Sequence, residues 1–315
     1  MPKKIRHAFV SGGAGFIGSH LVDALVAQGS KVTVLDNLST GNVVNLQSVE
    51  NKIVFLEGDI RDREILDKAT EGCDVIFHLA AVVSVQQTID NPVESAMVND
   101  MGSLYVLEAA RKANIKRVVF SSSCAVYGDD PRLPKTETMQ PKPVSPYAVQ
   151  KRVTEQYMRI YHELYGLETV CLRYFNVYGP RQDPSSPYSG VISIFMNKAV
   201  EAASPIIYDD GNQSRDFIFV KDVVTANLSS ATSKNAVGQI FNIGTGERVR
   251  INRLWDMICG LAGLRVEATY RPPRSGDIYE SVASTEHTKA CLGFAHAHSF
   301  ENGLKLTFEW YAKNG

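Results

Sequence analysis

His7-Ala8-Phe9-Val10-Ser11-Gly12-Gly13-Ala14-Gly15-Phe16-Ile17-Gly18 is the stretch on which the fold turns. Its first five residues are an apolar run of strand length, and the residues after Gly18 carry apolar positions at helical spacing until Gly29. Glycines stand between them at 12, 15 and 18. Strand, tight glycine turn and helix start, in that order, gather free N–H groups and the positive end of a helix dipole at one point, which suits a pyrophosphate. A glycine turn serving only the backbone needs no acid on the next strand. One is present: the run Lys31–Asp36 ends in a carboxylate eighteen residues past Gly18. An acid there accepts both ribose hydroxyls of an adenosine and repels a 2′-phosphate, and no Arg or Lys follows in Asn37-Leu38-Ser39-Thr40-Gly41. The cofactor read from these residues is NAD rather than NADP. Asp59, after the next apolar run, fits two roles equally, acceptor for the adenine amino group or cap of its own loop.

Outward from this unit, runs at 53–58, 73–80 and 117–122 alternate with amphipathic segments of helical length, which implies crossovers and an α/β fold on a doubly wound parallel sheet. Helices are predicted over 92–114 and 145–165, the second with Ser145 as N-cap and Pro146 in the first helical position. After about residue 175 the alternation breaks down and a smaller second lobe is expected. Long proline-rich loops at 129–146, 178–190 and 270–277 have the length of loops that shape binding sites.

The chain has 315 residues, 44% hydrophobic, with 33 Lys+Arg against 34 Asp+Glu, so it is neither disordered nor supercharged. A formal charge of −1 with no basic run gives no field for a polyanion, and nucleic acid is excluded as an expected partner. No stretch of eighteen apolar residues is present, and the basic opening breaks at Gly12-Gly13 before a signal-length run can form. No membrane partner and a cytoplasmic location are expected. The five cysteines form no Cys-x-x-Cys pair and the seven histidines no paired motif, so no metal is expected.

Tyr147 and Lys151, four apart on the helix predicted from Ser145, project from one face. A tyrosine acting as a base near neutrality must lose about three pKa units, roughly 4 kcal/mol. An ammonium about 5 Å away contributes on the order of 3 kcal/mol at an effective dielectric of 20, so Lys151 together with a cationic nicotinamide is expected to suffice. Ser121-Ser122-Ser123 ends the fifth run, at the sheet edge where such folds hold ligands, and Ser123 can bond the same substrate oxygen as Tyr147. Cys124 beside it has no base motif nearby and reads as a packed thiol.

Together the three glycines, Asp36, the run 121–128 (Ser-Ser-Ser-x-x-Val-Tyr-Gly), the Tyr-x-x-x-Lys at 147–151, the run 172–180 (Leu-Arg-Tyr-Phe-Asn-Val-Tyr-Gly-Pro), Arg-Asp-Phe at 215–217 and Arg-x-Gly-Asp at 274–277 resemble the extended short-chain dehydrogenase/reductase superfamily, in its nucleotide-sugar epimerase branch. The resemblance covers nearly the whole chain in order. It implies a Rossmann-type domain (1–175 plus about 215–243) and a smaller C-terminal substrate-binding α/β domain (about 176–214 and 244–315), assembled as a homodimer through two long helices per subunit. It also implies roles. Gly12, Gly15, Phe16 and Ile17 line the pyrophosphate; Asp36, Asn37, Leu38, Ser39, Thr40, Gly41, Asp59 and Ile60 the adenosine; Leu79, Ala80, Ala81, Tyr147, Lys151 and Phe175 the rest of NAD. Ser84, Ser123, Tyr147, Asn176, Arg215, Arg274 and Ser281 hold the UDP-sugar, and two guanidiniums suit a diphosphate.

In the reaction that the resemblance implies, Tyr147 takes the proton from the sugar 4-oxygen, a 4-keto sugar turns over, and the opposite 4-epimer is released. Related dehydratases and decarboxylases typically carry an acid in the two positions after the serine; here these are Cys124 and Ala125, which favours epimerisation. Those enzymes and a UDP-glucuronate 4-epimerase, with Arg181 or Arg250 meeting the carboxylate, are the alternatives. A non-catalytic NAD-binding sensor is the alternative of another class. Ser281 stands where a bulky aromatic restricts the family to non-acetylated hexoses, so UDP-GlcNAc/UDP-GalNAc as well as UDP-Glc/UDP-Gal are expected substrates.

Overall fold

A computed structural model describes residues 5–184, 190–273 and 278–314. Strands β1 (His7–Ser11), β2 (Lys31–Asp36), β3 (Ile53–Glu57), β4 (Val75–His78), β5 (Arg117–Ser123), β6 (Glu168–Tyr174) and β7 (Gln239–Ile243) lie side by side in the order β7-β6-β5-β4-β1-β2-β3. Every neighbouring pair is parallel. Parallel neighbours need crossovers, and these place helices on both faces of the sheet. The winding reverses between β1 and β4, which opens a crevice at their C-terminal ends. The expected doubly wound, Rossmann-type sheet is what forms, and the five runs read from the sequence are β1 to β5. Strands β6 and β7 extend it beyond that reading.

Side chains alternate between the faces. β1 sends Ala8 and Val10 into one apolar cluster and Phe9 into the other, and β4 does the same with Val75 and Phe77 against Ile76. Helix α1 (Phe16–Ala27) covers the first face through buried Leu21, Val22 and Leu25. The second face is covered by α2 (Ser103–Lys112) and α3 (Pro146–Tyr165). Ser145 caps α3 as its position implies, accepting from the Ala148 amide at 3.3 Å, and Gly166 ends it with φ 66°. The helix expected over 92–114 contains a π-type segment, Met97–Gly102, that apolar periodicity does not foretell. Its glycine has a steric reason: a Cβ on Gly102 would lie 2.6 Å from Ile60 Cδ1. A third apolar cluster, including Phe195, Phe217, Trp255 and Leu304, is built from segments after residue 175.

A buried histidine ties β1, β4 and α2 together. His78 Nδ1 pairs with Ser11 Oγ at 2.7 Å and Nε2 with Ser103 Oγ at 2.9 Å. Burial, with Lys151 nearby, pushes its pKa down to about 3. An unfolded chain binds that proton near pH 6.5, so His78 stabilises the fold above that pH and loses its contribution as the pH falls toward 3. About 3 kcal/mol of stability is expected to disappear between pH 7 and pH 4 on this account. Urea unfolding of His78→Gln beside the parent should show a correspondingly shallower acid loss; equal slopes would refute it.

Candidate active site

The C-terminal edges of β1, β2, β4 and β5 bring the predicted residues to one crevice. At its floor the glycine turn is built for close approach. Gly12 has φ 73°, and a Cβ on it would stand 2.7 Å from the Ala80 amide nitrogen. A Cβ on Gly18 would collide with the Gly12 carbonyl oxygen and come within 2.8 Å of Gly13 Cα. Helix α1 starts at Phe16 with Gly15 as N-cap, no side-chain cap and no acid in its first turn. Such an end leaves its N–H groups to an anion, as a pyrophosphate cradle requires. Gly18→Ala is expected to lower NAD affinity at least tenfold, about 1.4 kcal/mol, because the clash is with backbone that cannot swing aside. Fluorescence titration with NADH measures this, and an unchanged affinity would remove the close-packing argument.

Asp36 is buried at the end of β2. Its carboxylate accepts from the Ala14 and Leu38 amides, both at 2.9 Å, so it braces the glycine turn as well as facing the crevice. Burial raises its pKa against those backbone bonds. Gly41 fits there because a Cβ would lie 2.7 Å from the Asp36 Oδ1. Asn37 bonds Asp59 at 3.0 Å and Leu38 takes a positive φ of 57°. Asp59 caps its own loop, accepting from the Arg61 amide at 2.8 Å and pairing with the Arg61 guanidinium at 2.9 Å, an arrangement compatible with the adenine role as well. Leu79 donates its amide to the Ser11 carbonyl at 3.1 Å, and the Ala80 amide points to Ser11 Oγ at 3.4 Å. These placements suit a dinucleotide laid across the crevice.

The chemistry-bearing group lies where β5 meets α3. Ser123 is the last residue of β5; its hydroxyl accepts from the Ala125 amide at 3.2 Å and stands on the side of the Tyr147 phenol, where it favours the phenolate. Lys151 is buried, donating Nζ to the Ser121 carbonyl at 2.8 Å, with Nζ 4.8 Å from the Phe120 ring centre and 5.8 Å from that of Tyr147. Burial pushes the Tyr147 phenol up to about 12, outweighing the nearby Ser123 hydroxyl, and pushes the Lys151 ammonium down to about 8. That order is the reverse of what a phenolate beside an ammonium needs. Both charged forms therefore need counter-charges, a cation for the phenolate and an acid for the lysine.

The substrate residues divide. Asn176 donates Nδ2 to the Asp216 carbonyl at 3.1 Å, and Arg215 donates to the carbonyls of Ser214 at 3.0 Å and Tyr279 at 3.1 Å. Ser281 is buried beside the partly buried Cys124 thiol, which burial pushes up to about 11. Phe175 is buried beside Val126, Tyr127 and Ala283. Ser84 caps the helix Val85–Asp90, accepting from the Gln87 amide at 3.1 Å. Arg274 lies outside the described residues. Arg181 pairs with Asp23 on α1 at 2.8 Å.

Two acids absent from the sequence reading hold this region together. Asp216, fully buried, accepts from Thr245, Gly246 and Ala283 amides at 2.8, 3.0 and 3.0 Å and so joins three segments beside Arg215. Glu155, one turn beyond Lys151, pairs with Arg173 on β6. The signal for Glu155 was its four-residue spacing from Lys151 on an otherwise buried helix face.

The profile of the NAD-dependent epimerase/dehydratase family matches residues 8–244. The chain belongs to this family. A putative UDP-glucose 4-epimerase of Methanocaldococcus jannaschii is 42% identical over 97% of this chain and 98% of its own length. Among solved structures, a UDP-N-acetylglucosamine 4-epimerase from Methanobrevibacter ruminantium in complex with UDP-N-acetylmuramic acid superposes with a TM-score of 0.95 at 40% identity, covering 99% of this chain and 100% of that one. A Thermus thermophilus UDP-glucose 4-epimerase complex with NAD gives 0.90 at 37% identity, over 97% and 98%. The family member described here is an enzyme of the isomerase class, and NAD is its cofactor. Among the described residues no helix is long and apolar enough to cross a membrane.

Proposed function

We propose that this enzyme interconverts the 4-epimers of a UDP-sugar, accepting UDP-GlcNAc/UDP-GalNAc as well as UDP-Glc/UDP-Gal. The observation that carries the reading is the convergence of Ser123, at the end of β5, and Tyr147 beside buried Lys151, whose Nζ lies 5.8 Å from the Tyr147 ring centre, with a thiol and a methyl group, Cys124 and Ala125, in place of any acid after Ser123. When bound, NAD supplies a positively charged acceptor that takes the hydrogen from the sugar carbon and later returns it. Tyr147 removes the proton from the sugar 4-oxygen and gives it back. Ser123 bonds the same oxygen and aligns it with the phenol, while Lys151, charged, favours the phenolate. Cys124, with its thiol pushed up to about 11, offers no acid–base group to drive elimination from the neighbouring carbon. Arg215 and Arg274 would meet the diphosphate, and Asn176 and Ser84 the rest of the nucleotide-sugar. Arg181 is engaged with Asp23, which leaves the glucuronate alternative with less support.

The same reading takes residues 1–175 with about 215–243 as the NAD-binding part and the remainder as the sugar-nucleotide part. A cytoplasmic homodimer completes it. Exposed Val85, Ile89, Val93, Met97 and Val149 supply an apolar face on the helices that would pair with a second copy.

Incubating purified protein with a panel of UDP-sugars and no added reductant, followed by product identification, tests the proposal. Conversion between 4-epimers without net NADH supports it; a 4-keto-6-deoxy or pentose product replaces it with the dehydratase or decarboxylase reading.

A further inference from the structure

We propose that Glu155 is a positioning residue for the reaction: its buried carboxylate supplies the counter-charge for the Lys151 ammonium and ties the helix carrying Tyr147 and Lys151 to the ends of β5 and β6. The proposal rests on the functional reading above and deepens it.

Glu155 follows Lys151 by one turn of α3, so both side chains leave the same face. The carboxylate is fully enclosed. Its Oε1 accepts from Ser122 Oγ at 2.7 Å and Arg173 Nε at 2.8 Å, and its Oε2 from Arg173 Nη2 at 2.8 Å and Arg152 Nη1 at 3.0 Å. These bonds fill a carboxylate's capacity and keep it ionised despite burial. Ser122 is the residue between the two that matter: the Ser121 carbonyl receives Lys151 Nζ, and the Ser123 side chain meets Tyr147. One carboxylate thus fixes the strand end on both sides of its own contact.

The electrostatic part is separable from the bracing. Burial drives the Lys151 ammonium toward its neutral form, and Glu155 is the acid that opposes this. The other titratable groups near the pair are Tyr147 and Arg152 on α3, His78 on β4, and Cys171 and Arg173 on β6, with Tyr127 beneath the Arg173 guanidinium at 4.7 Å. His78 is neutral above about pH 3, Tyr147 and Cys171 are protonated through neutrality, and Arg173 keeps its charge. Lys151 is the member that titrates near working pH.

A buried pair serving only as a brace is replaceable by an apolar pair, whereas removing one partner strands the other charge. The test therefore uses the double variant Glu155→Gln/Arg173→Met, with Glu155→Asp as the conservative rescue, in the full chain loaded with NAD. Protein labelled with 13C at the lysine ε-carbons is titrated by NMR, and the Lys151 resonance is identified by its loss in Lys151→Met. The midpoint is expected to fall by about one pH unit in the double variant and to recover to within about half a unit of the parent in Glu155→Asp. The alkaline limb of kcat should move the same way while KM changes little. A folded double variant with the parent's midpoint and kcat profile overturns the proposal. So does a Glu155→Asp protein that shifts as far as the double variant. A parent that converts no UDP-sugar overturns the functional reading instead, and the NMR midpoint still decides on Glu155.

Discussion

Tyr147→Phe is expected to lose about 10³-fold in turnover while keeping the fold and the bound NAD. The change deletes one oxygen. Its structural cost is small: the oxygen stands beside the Ser123 hydroxyl, and even an ordinary hydrogen bond contributes only about 1 kcal/mol. The chemical cost is large. Tyr147 is the group proposed to carry the sugar proton, and Ser123, Cys124 and Lys151 would not replace it: a serine hydroxyl is too weak a base, the thiol is pushed up to about 11, and Lys151 is turned toward the Ser121 carbonyl. The loss should fall on kcat, with KM within a few-fold, because the missing interaction belongs to proton transfer and not to the grip on the nucleotide. Steady-state conversion of a UDP-sugar, with NADH fluorescence for cofactor binding, separates the two. Turnover within tenfold of the parent would defeat the catalytic role of the phenol and return the chain to the NAD-sensor alternative.

The parts legible in the sequence were those fixed by short-range stereochemistry. Gly12, Gly15 and Gly18 could be read because one turn, between a strand and a helix, demands small residues at that spacing. Tyr147 and Lys151 could be read because four residues make a helical turn and Ser145-Pro146 marks where that helix begins. Other features depend on partners distant in the chain. Glu155 is an unremarked surface-type residue until Arg173, on a strand eighteen residues later, comes against it. The Arg61 pairing of Asp59 is likewise a matter of geometry that spacing does not show. The π-type segment Met97–Gly102, and the close fit of Gly102 against Ile60 at its end, are features that apolar periodicity does not register. The expected influence of Lys151 on Tyr147 leaves out burial, which acts against the charge on both groups and calls in Glu155.

Ser281→Tyr is expected to abolish turnover of UDP-GlcNAc and UDP-GalNAc, by at least about 100-fold, and to leave UDP-Glc and UDP-Gal within a few-fold of the parent. The parent serine is a small buried side chain whose hydroxyl meets the Cys124 thiol and whose amide donates to the Ser214 carbonyl at 3.3 Å, next to Arg215. It therefore stands between the catalytic end of β5 and the residues proposed to hold the diphosphate, where a substituent on the sugar ring would lie. A phenol in that place takes up the volume of an acetamido group, and a sterically excluded substituent cannot be recovered by contacts elsewhere. Overpacking is the competing cause of lost activity, so the readout is the ratio of kcat/KM between acetylated and non-acetylated pairs, with Ser281→Ala as the variant that removes the Cys124 contact without adding bulk. A ratio that collapses only in Ser281→Tyr places the gate at this residue. Equal loss on both pairs, with an unchanged melting temperature, assigns the position to general substrate binding, and unchanged turnover of both pairs moves the basis of sugar choice away from residue 281.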